Sequence, residues 1–212
     1  MKSSVVLRPG NNPGSHAIPL IMLHGYGSNE SDLFSLQNHL PAGYYPMALR
    51  GYLPVPYGGF AWYPLYVTPS GEMQVNENEM VEAARNLLND LDEIRLNYGF
   101  EKPFALLGFS QGSILSYLLM SMAPEKFQKI VAFSGYIHEP VMHDLQAADA
   151  EHLRVFASHG IYDDIIPVEL ARKIPDWLNR YGIKHIYKEY PAGHYLIPEN
   201  IEDAMDFLAG PG

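Results

Sequence analysis

Cysteine is missing altogether from the 212 residues, which excludes disulfides, thiolate zinc sites and a cysteine nucleophile and leaves the redox compartment open. Long apolar runs are missing as well. No segment approaches the roughly 18 apolar residues that a membrane helix needs, so stable membrane insertion is not expected. The opening stretch MKSSVVLRPG offers only Val5 to Leu7 before Arg8, far short of a signal-peptide core. The expectation is a cytoplasmic protein. Positive charge is scarce: Lys and Arg number 14 against 24 Asp and Glu, a formal net charge of -10. Such a surface repels phosphate backbones and anionic lipid, so no nucleic-acid partner is expected. Repeats, low-complexity tracts and an internal linker are absent too, and residues 1–212 read as a single domain.

What is present is an ordinary globular composition, 47% hydrophobic and 18% charged, laid out as strand-length apolar runs alternating with segments of helical period. That alternation predicts an α/β protein with a mostly parallel central sheet flanked by helices on both faces. The expected strands are Pro19–His24, Tyr45–Arg50, Phe104–Phe109, Ile130–Ser134, Leu153–Ser158 and His185–Tyr190. The middle ones are apolar almost throughout, as burial on both faces requires. Helices are expected at Ser31–Leu40, Asn76–Tyr98, Gln111–Met122, Val168–Tyr181 and Glu199–Leu208. The second of these carries Met80, Ala84, Leu87, Leu88, Leu91 and Ile94 at helical spacing, with Asn76 and Glu79 as its cap and Gly99 as its stop. Residues 51–71, GYLPVPYGGFAWYPLYVTPSG, are dense in proline, glycine and aromatics without a period. They read as one long loop facing a substrate.

The stretch FALLGFSQGSIL raises the functional question, because it sets a bare hydroxyl between Gly108 and Gly112. A buried strand turning sharply into a helix would lift Ser110 clear of the sheet's carboxyl edge, the two glycines allowing strand and helix to approach closely. The plainer alternative makes Ser110 a helix cap. A hydroxyl nucleophile needs a base, and the base needs an orienting acid. His194, in AGHY after the last strand, and Asp163, in GIYDDIIP after the fifth, complete the chain order serine, aspartate, histidine that this kind of fold uses. Asp164 remains the neighbour that competes with Asp163. Two backbone donors are required for the developing oxyanion, and the N–H groups of Gln111 and Tyr26 are placed to supply them. His24 precedes the nucleophile and reads as a brace for the loop that opens with HG.

Other groupings carry less. His138, His143 and His152 lie among Glu139, Asp144 and Asp149, but their spacing fits no rigid ligand motif, and they read as solvated surface with no metal. Trp62 and its neighbours suit either the lining of a cleft or the packing of a loop on the core. Exposed apolar surface leaves a homodimer open.

With HGYG, GFSQG, GIYDDIIP and AGHY in that order, the chain resembles the carboxylesterase, phospholipase and acyl-protein thioesterase family of compact α/β-hydrolases over roughly Pro19 to Leu208. The resemblance implies an α/β-hydrolase fold without a separate lid domain. It also implies a triad of Ser110, Asp163 and His194, Asp163 being favoured over Asp164, and an oxyanion hole from Tyr26 and Gln111. No cofactor or metal is implied, and the substrate is a small-molecule ester or thioester. The segment AWYPL is similar to one bordering the substrate cleft in relatives, which marks Trp62, Tyr63 and Leu65 as substrate-binding candidates. Relatives often carry leucine where this chain has Tyr26. A ring at that mouth points to small or medium acyl or aryl groups rather than long lipid chains.

Overall fold

The computed structural model describes residues 6–10, 13–14, 16–56, 58–69 and 73–211. Residues 1–5 of the opening stretch and 57, 70 and 71 of the expected loop lie outside the described residues. In chain order the strands are β1 (Val6–Leu7), β2 (Ile18–Leu23), β3 (Tyr44–Leu49), β4 (Leu53–Pro54), β5 (Phe60–Ala61), β6 (Leu65–Val67), β7 (Met73–Val75), β8 (Phe104–Phe109), β9 (Phe127–Phe133), β10 (Arg154–Gly160) and β11 (Lys184–Tyr190). The helices are α1 (Ser31–Phe34), α2 (Glu77–Tyr98), α3 (Gln111–Met122), α4 (Ala147–Ala150), α5 (Val168–Ala171), α6 (Ile174–Arg180) and α7 (Pro198–Ala209).

Seven strands form one sheet in the order β1-β3-β2-β8-β9-β10-β11. All neighbours are parallel except β1, which runs antiparallel along β3. The chain builds outward from β2 in one direction and, beginning at β8, in the other. The carboxyl ends of β2 and β8 therefore flank the point where strand order reverses, the crevice in which open α/β sheets place their ligands.

Alternation along each strand divides the core in two. Ile21, Leu23, Phe104, Leu106, Ile130 and Ala132 face the layer of α2, α3 and α6. Leu20, Met22, Ala105, Leu107, Val131 and Phe133 face that of α1 and α7. Both faces are apolar because both are covered, and this explains the near-continuous hydrophobic runs.

Asn76 caps α2 by accepting the N–H groups of Asn78 and Glu79, and Gly99 ends it in the left-handed conformation at φ 67°. The Glu79 carboxylate does not close a reciprocal box; it accepts the hydroxyl of Tyr66 instead.

Three expectations need correction. The helix expected over Ser31–Leu40 is one α-helical turn, α1, continued by a 3₁₀ segment at Ser35–His39. The helix expected over Val168–Tyr181 is two helices, because Pro175 occupies the start of α6, where its missing N–H and fixed φ are tolerated only in a first turn. The stretch expected as one loop over 51–71 holds the antiparallel pair β4 with β5 and the strand β6, which pairs with β7 beyond it, and Ser28 bridges Phe60.

Paired carboxylates fix the pH range of stability. Glu30 is held below the usual carboxylate range by the Arg50 guanidinium, Glu189 by Arg172, and Asp203 by Lys188 and the Tyr190 hydroxyl. A carboxyl group that is more acidic folded than unfolded stabilises fully above its unfolded range, and that contribution is lost as pH falls through the folded value. Melting temperature should therefore fall between about pH 5 and about pH 3. Replacement of Glu30 by Gln should lower it at neutral pH and flatten the acid decline in a calorimetric pH series.

Candidate active site

The turn from β8 into α3 is forced by contacts that only glycine permits. A Cβ on Gly108 would lie 2.6 Å from the Gly112 carbonyl carbon, and one on Gly112 would lie 1.9 Å from the Leu23 carbonyl oxygen. Strand, helix and the end of β2 thus touch through bare backbone. Ser110 sits at the turn with φ 52° and ψ −115°, a conformation L residues rarely adopt, costing about 1–3 kcal/mol where it occurs. Its N–H donates to the Phe133 carbonyl at 2.9 Å. Its hydroxyl makes no capping bond to α3, so the reading of Ser110 as a plain cap is not what the structure shows.

That hydroxyl lies 2.9 Å from His194 Nε2, and His194 Nδ1 lies 2.7 Å from Asp163 Oδ2. Three residues from the loops after β8, β10 and β11 therefore form one continuous hydrogen-bonded chain. The imidazole is mostly buried and packs against the Phe109 ring, with centroids 5.0 Å apart. The Asp163 side chain has no exposure at all. Its Oδ1 accepts the N–H groups of Ile165 at 2.9 Å and Ile166 at 2.8 Å, so both oxygens are satisfied without water. Asp164 points to solvent, and the geometry assigns this position to its neighbour. The histidine loop is seated by Gly160, where a Cβ would lie 2.3 Å from the Ala192 oxygen and 2.4 Å from that of Gly193.

The loop after β2 approaches from the other side. Gly25 lies so close that a Cβ there would sit 3.4 Å from Ser110 Cβ. The next N–H is that of Tyr26. Neither it nor the Gln111 N–H at the start of α3 has a partner among the described residues. His24 braces this loop as expected: Nδ1–H donates to the Gly25 carbonyl at 2.7 Å and Nε2 accepts the Gly51 N–H at 2.9 Å. Burial pushes its imidazole below the ordinary histidine range, consistent with a neutral ring that donates at one nitrogen and accepts at the other. The Glu30–Arg50 pair ties the same loop to the end of β3.

Gln111 has a second use that sequence reasoning missed. Its side chain is buried, with Oε1 accepting the Trp62 N–H at 2.9 Å and Nε2–H donating to the Tyr63 carbonyl at 2.8 Å. A glutamine opening the largely apolar run GSILSYLLM was the available signal. Trp62 and Tyr63, expected at the substrate, are each only 1% exposed. The Trp62 indole N–H donates to the His24 carbonyl at 2.9 Å. Both rings border a recess of about 200 Å³ shared with Tyr52, Glu79 and Glu82. Ser110, Asp163 and His194 do not line that recess. Leu65 is half-buried in the β6–β7 hairpin. The apolar side chains exposed on the loops that carry the site are instead Tyr26 at 41%, Tyr162 at 69% and Tyr195 at 58%, with Ile161 and Ile165.

The three surface histidines do not converge. His138 meets Glu77, His152 meets the carbonyls of Pro124 and Phe127, and the His143 N–H meets Ser121. Among the described residues no three His, Asp or Glu side chains cluster in a way that could hold a metal ion, and no helix is long and apolar enough to cross a membrane.

A parallel sheet with a serine at a strained strand-to-helix elbow, and loops from later strands converging on it, defines the α/β-hydrolase fold. The chain belongs to the phospholipase/carboxylesterase family, whose sequence model matches residues 6–210. It is 23% identical over 226 aligned positions to acyl-protein thioesterase 1 of Cryptococcus neoformans, covering 92% of each chain. Among solved structures, the Bacillus cereus carboxylesterase superposes with a TM-score of 0.84 at 18% identity, covering 96% of this chain and 92% of that one. A carboxylesterase from Mesorhizobium loti superposes with a TM-score of 0.78 at 20% identity, covering 94% and 91%. At those identities the likeness concerns the fold.

Proposed function

We propose that this hydrolase-family protein is a serine esterase that cleaves carboxylic esters of small to medium acyl groups through an acyl-serine intermediate. The observation that carries the reading is the chain Ser110–His194–Asp163, at 2.9 and 2.7 Å, beside two backbone N–H groups without partners among the described residues. In this scheme His194 Nε2 takes the Ser110 proton as Oγ bonds to the ester carbonyl carbon. The resulting oxyanion is met by the Tyr26 and Gln111 N–H groups, each contributing on the order of 3 kcal/mol to barrier lowering. His194 returns the proton to the departing alkoxide, which leaves as alcohol. Water deprotonated by His194 then attacks the acyl carbon and frees the acid and Ser110. Asp163 remains ionised and holds the imidazole in the tautomer that can accept at Nε2.

The exposed tyrosines on the loops after β2, β10 and β11 offer apolar ring surface, and this favours compact acyl or aryl groups. The thioesterase reading is supported by relatives bearing that name; the same machinery serves a thiolate leaving group. Turnover of p-nitrophenyl esters of increasing chain length, set beside matched acyl thioesters, separates the two. The expected result is a maximum kcat/KM at short to medium chains and a steep decline beyond; a rising profile, or a preference for thioesters, would replace this reading.

A further inference from the structure

His159 is a second histidine at the candidate acid, and the scheme above gives it no part. It is the penultimate residue of β10, is 0% exposed, and presents Nε2 to the Ile166 carbonyl at 2.8 Å. The same nitrogen lies 3.2 Å from Asp163 Oδ2, the oxygen that also receives His194. Its Nδ1 has no partner among the described residues. The proton therefore resides on Nε2, where it has an acceptor, and a second proton on the ring would be buried without one.

Residue 166 is thus tied from both sides: its N–H goes to Asp163 Oδ1 and its carbonyl takes the His159 proton. A closed ring of bonds joins the strand end, the turn and the carboxylate. We propose that His159 is a positioning residue for Asp163. It fixes the turn that presents Oδ2 to His194, and it turns a partly positive N–H edge toward that same oxygen. The charge that Asp163 offers to a protonated His194 is thereby shared. The other ionisable groups near this assembly are Glu189, which faces His159 across the β10–β11 register, and its partners Arg172 and Tyr187. Their mutual pairing leaves His159 and His194 as the titratable groups at Asp163, with Ser110 beyond.

The inference rests on the proposed esterase reading for its kinetic consequence but not for its geometric one, so two measurements are needed. His159→Leu removes the donor while filling the space. Its kcat should fall by on the order of 10²-fold with KM held within about twofold, since the displaced group is the orienting one and not a substrate contact. Its acid limb of kcat/KM should move to higher pH, because an unshared Oδ2 favours protonated His194. His159→Gln returns an amide donor to the Nε2 position and should restore both the rate and the limb. His159→Asn, whose amide is one bond too short, should behave like the leucine variant and takes its place if that variant is unfolded by near-UV circular dichroism.

The downfield proton resonance of the His194 Nδ1–H, read by NMR without substrate, should shift in the Leu and Asn variants and return in Gln. Equal impairment in Gln, Leu and Asn, or a folded donor-less variant with the wild-type limb and resonance, would overturn the proposal. Failure of wild-type Ser110 to react with a fluorophosphonate would instead sink the esterase reading and leave the resonance to decide the role of His159.

Discussion

Replacing Ser110 with Ala is expected to cost on the order of 10⁶ in kcat, comparable with removal of the serine or its base in other hydrolases of this type. The same change should abolish fluorophosphonate labelling outright. What gives the test its force is that little else should change. The Ser110 hydroxyl makes no capping bond to α3, so deleting it removes no structural hydrogen bond other than the one to His194. The strained backbone at φ 52° is held by the close contacts of Gly108 and Gly112 and by the bond from Ser110 N–H to Phe133, and alanine tolerates it no worse than serine. Thermal stability should therefore stay close to the wild type while activity disappears. An alanine variant that keeps measurable turnover above a tenth of the wild type would remove Ser110 from the chemistry.

The second large effect is expected for Asp163→Asn, on the order of 10⁴ in kcat, together with a loss of stability. Asn can still present its oxygen to the N–H groups of Ile165 and Ile166. Its amide must then face His194 Nδ1, which carries a proton toward Asp163 in the native arrangement, and the N–H edge of His159 at 3.2 Å. Donor would meet donor at His194, around a side chain with no exposure. The cheaper escape is for His194 to move its proton to Nε2, which destroys its capacity to accept from Ser110. Leaving a buried polar contact unsatisfied costs about 1–3 kcal/mol, so a lowered denaturation midpoint should accompany the loss of rate. If Asp163→Asn is inactive yet no less stable, the buried carboxylate is less tightly committed than its four neighbours suggest. A matching Asp164→Asn variant, altering an exposed side chain, should leave both quantities unchanged.

Much of the frame was legible because apolar runs and helical periods are local signals. All six parallel strands lie where alternation and flanking glycines predict, and Asn76 and Gly99 bound α2 as capping chemistry requires. The elbow was legible for a different reason: GFSQG combines two glycines, a hydroxyl and a buried strand in a pattern that few other structures need. What escaped was set by contacts distant in sequence. Nothing local shows that Trp62 and Tyr63 turn inward, because their places are fixed by Gln111 across 49 and 48 residues. The strands within 51–71 are two or three residues long and carry too little alternation to register. Pro175 did announce a boundary, and helical spacing on both sides of it concealed the break between α5 and α6. His159 was hidden in an apolar strand, where a buried imidazole resembles any other core position until its neighbours are known.

The contact at Gly160 has a bearing on how the protein would lose and regain function. With its Cα pressed on the carbonyls of Ala192 and Gly193, the turn bearing Asp163 and the turn bearing His194 are mounted on a single block of backbone at one border of the sheet, whereas Ser110 rides on the central strand. Fraying of β11 during heating would draw the turn bearing His194 off β10, parting base from acid while leaving the nucleophile seated. Inactivation should then precede global melting, and it should reverse on cooling as that border zips back onto β10.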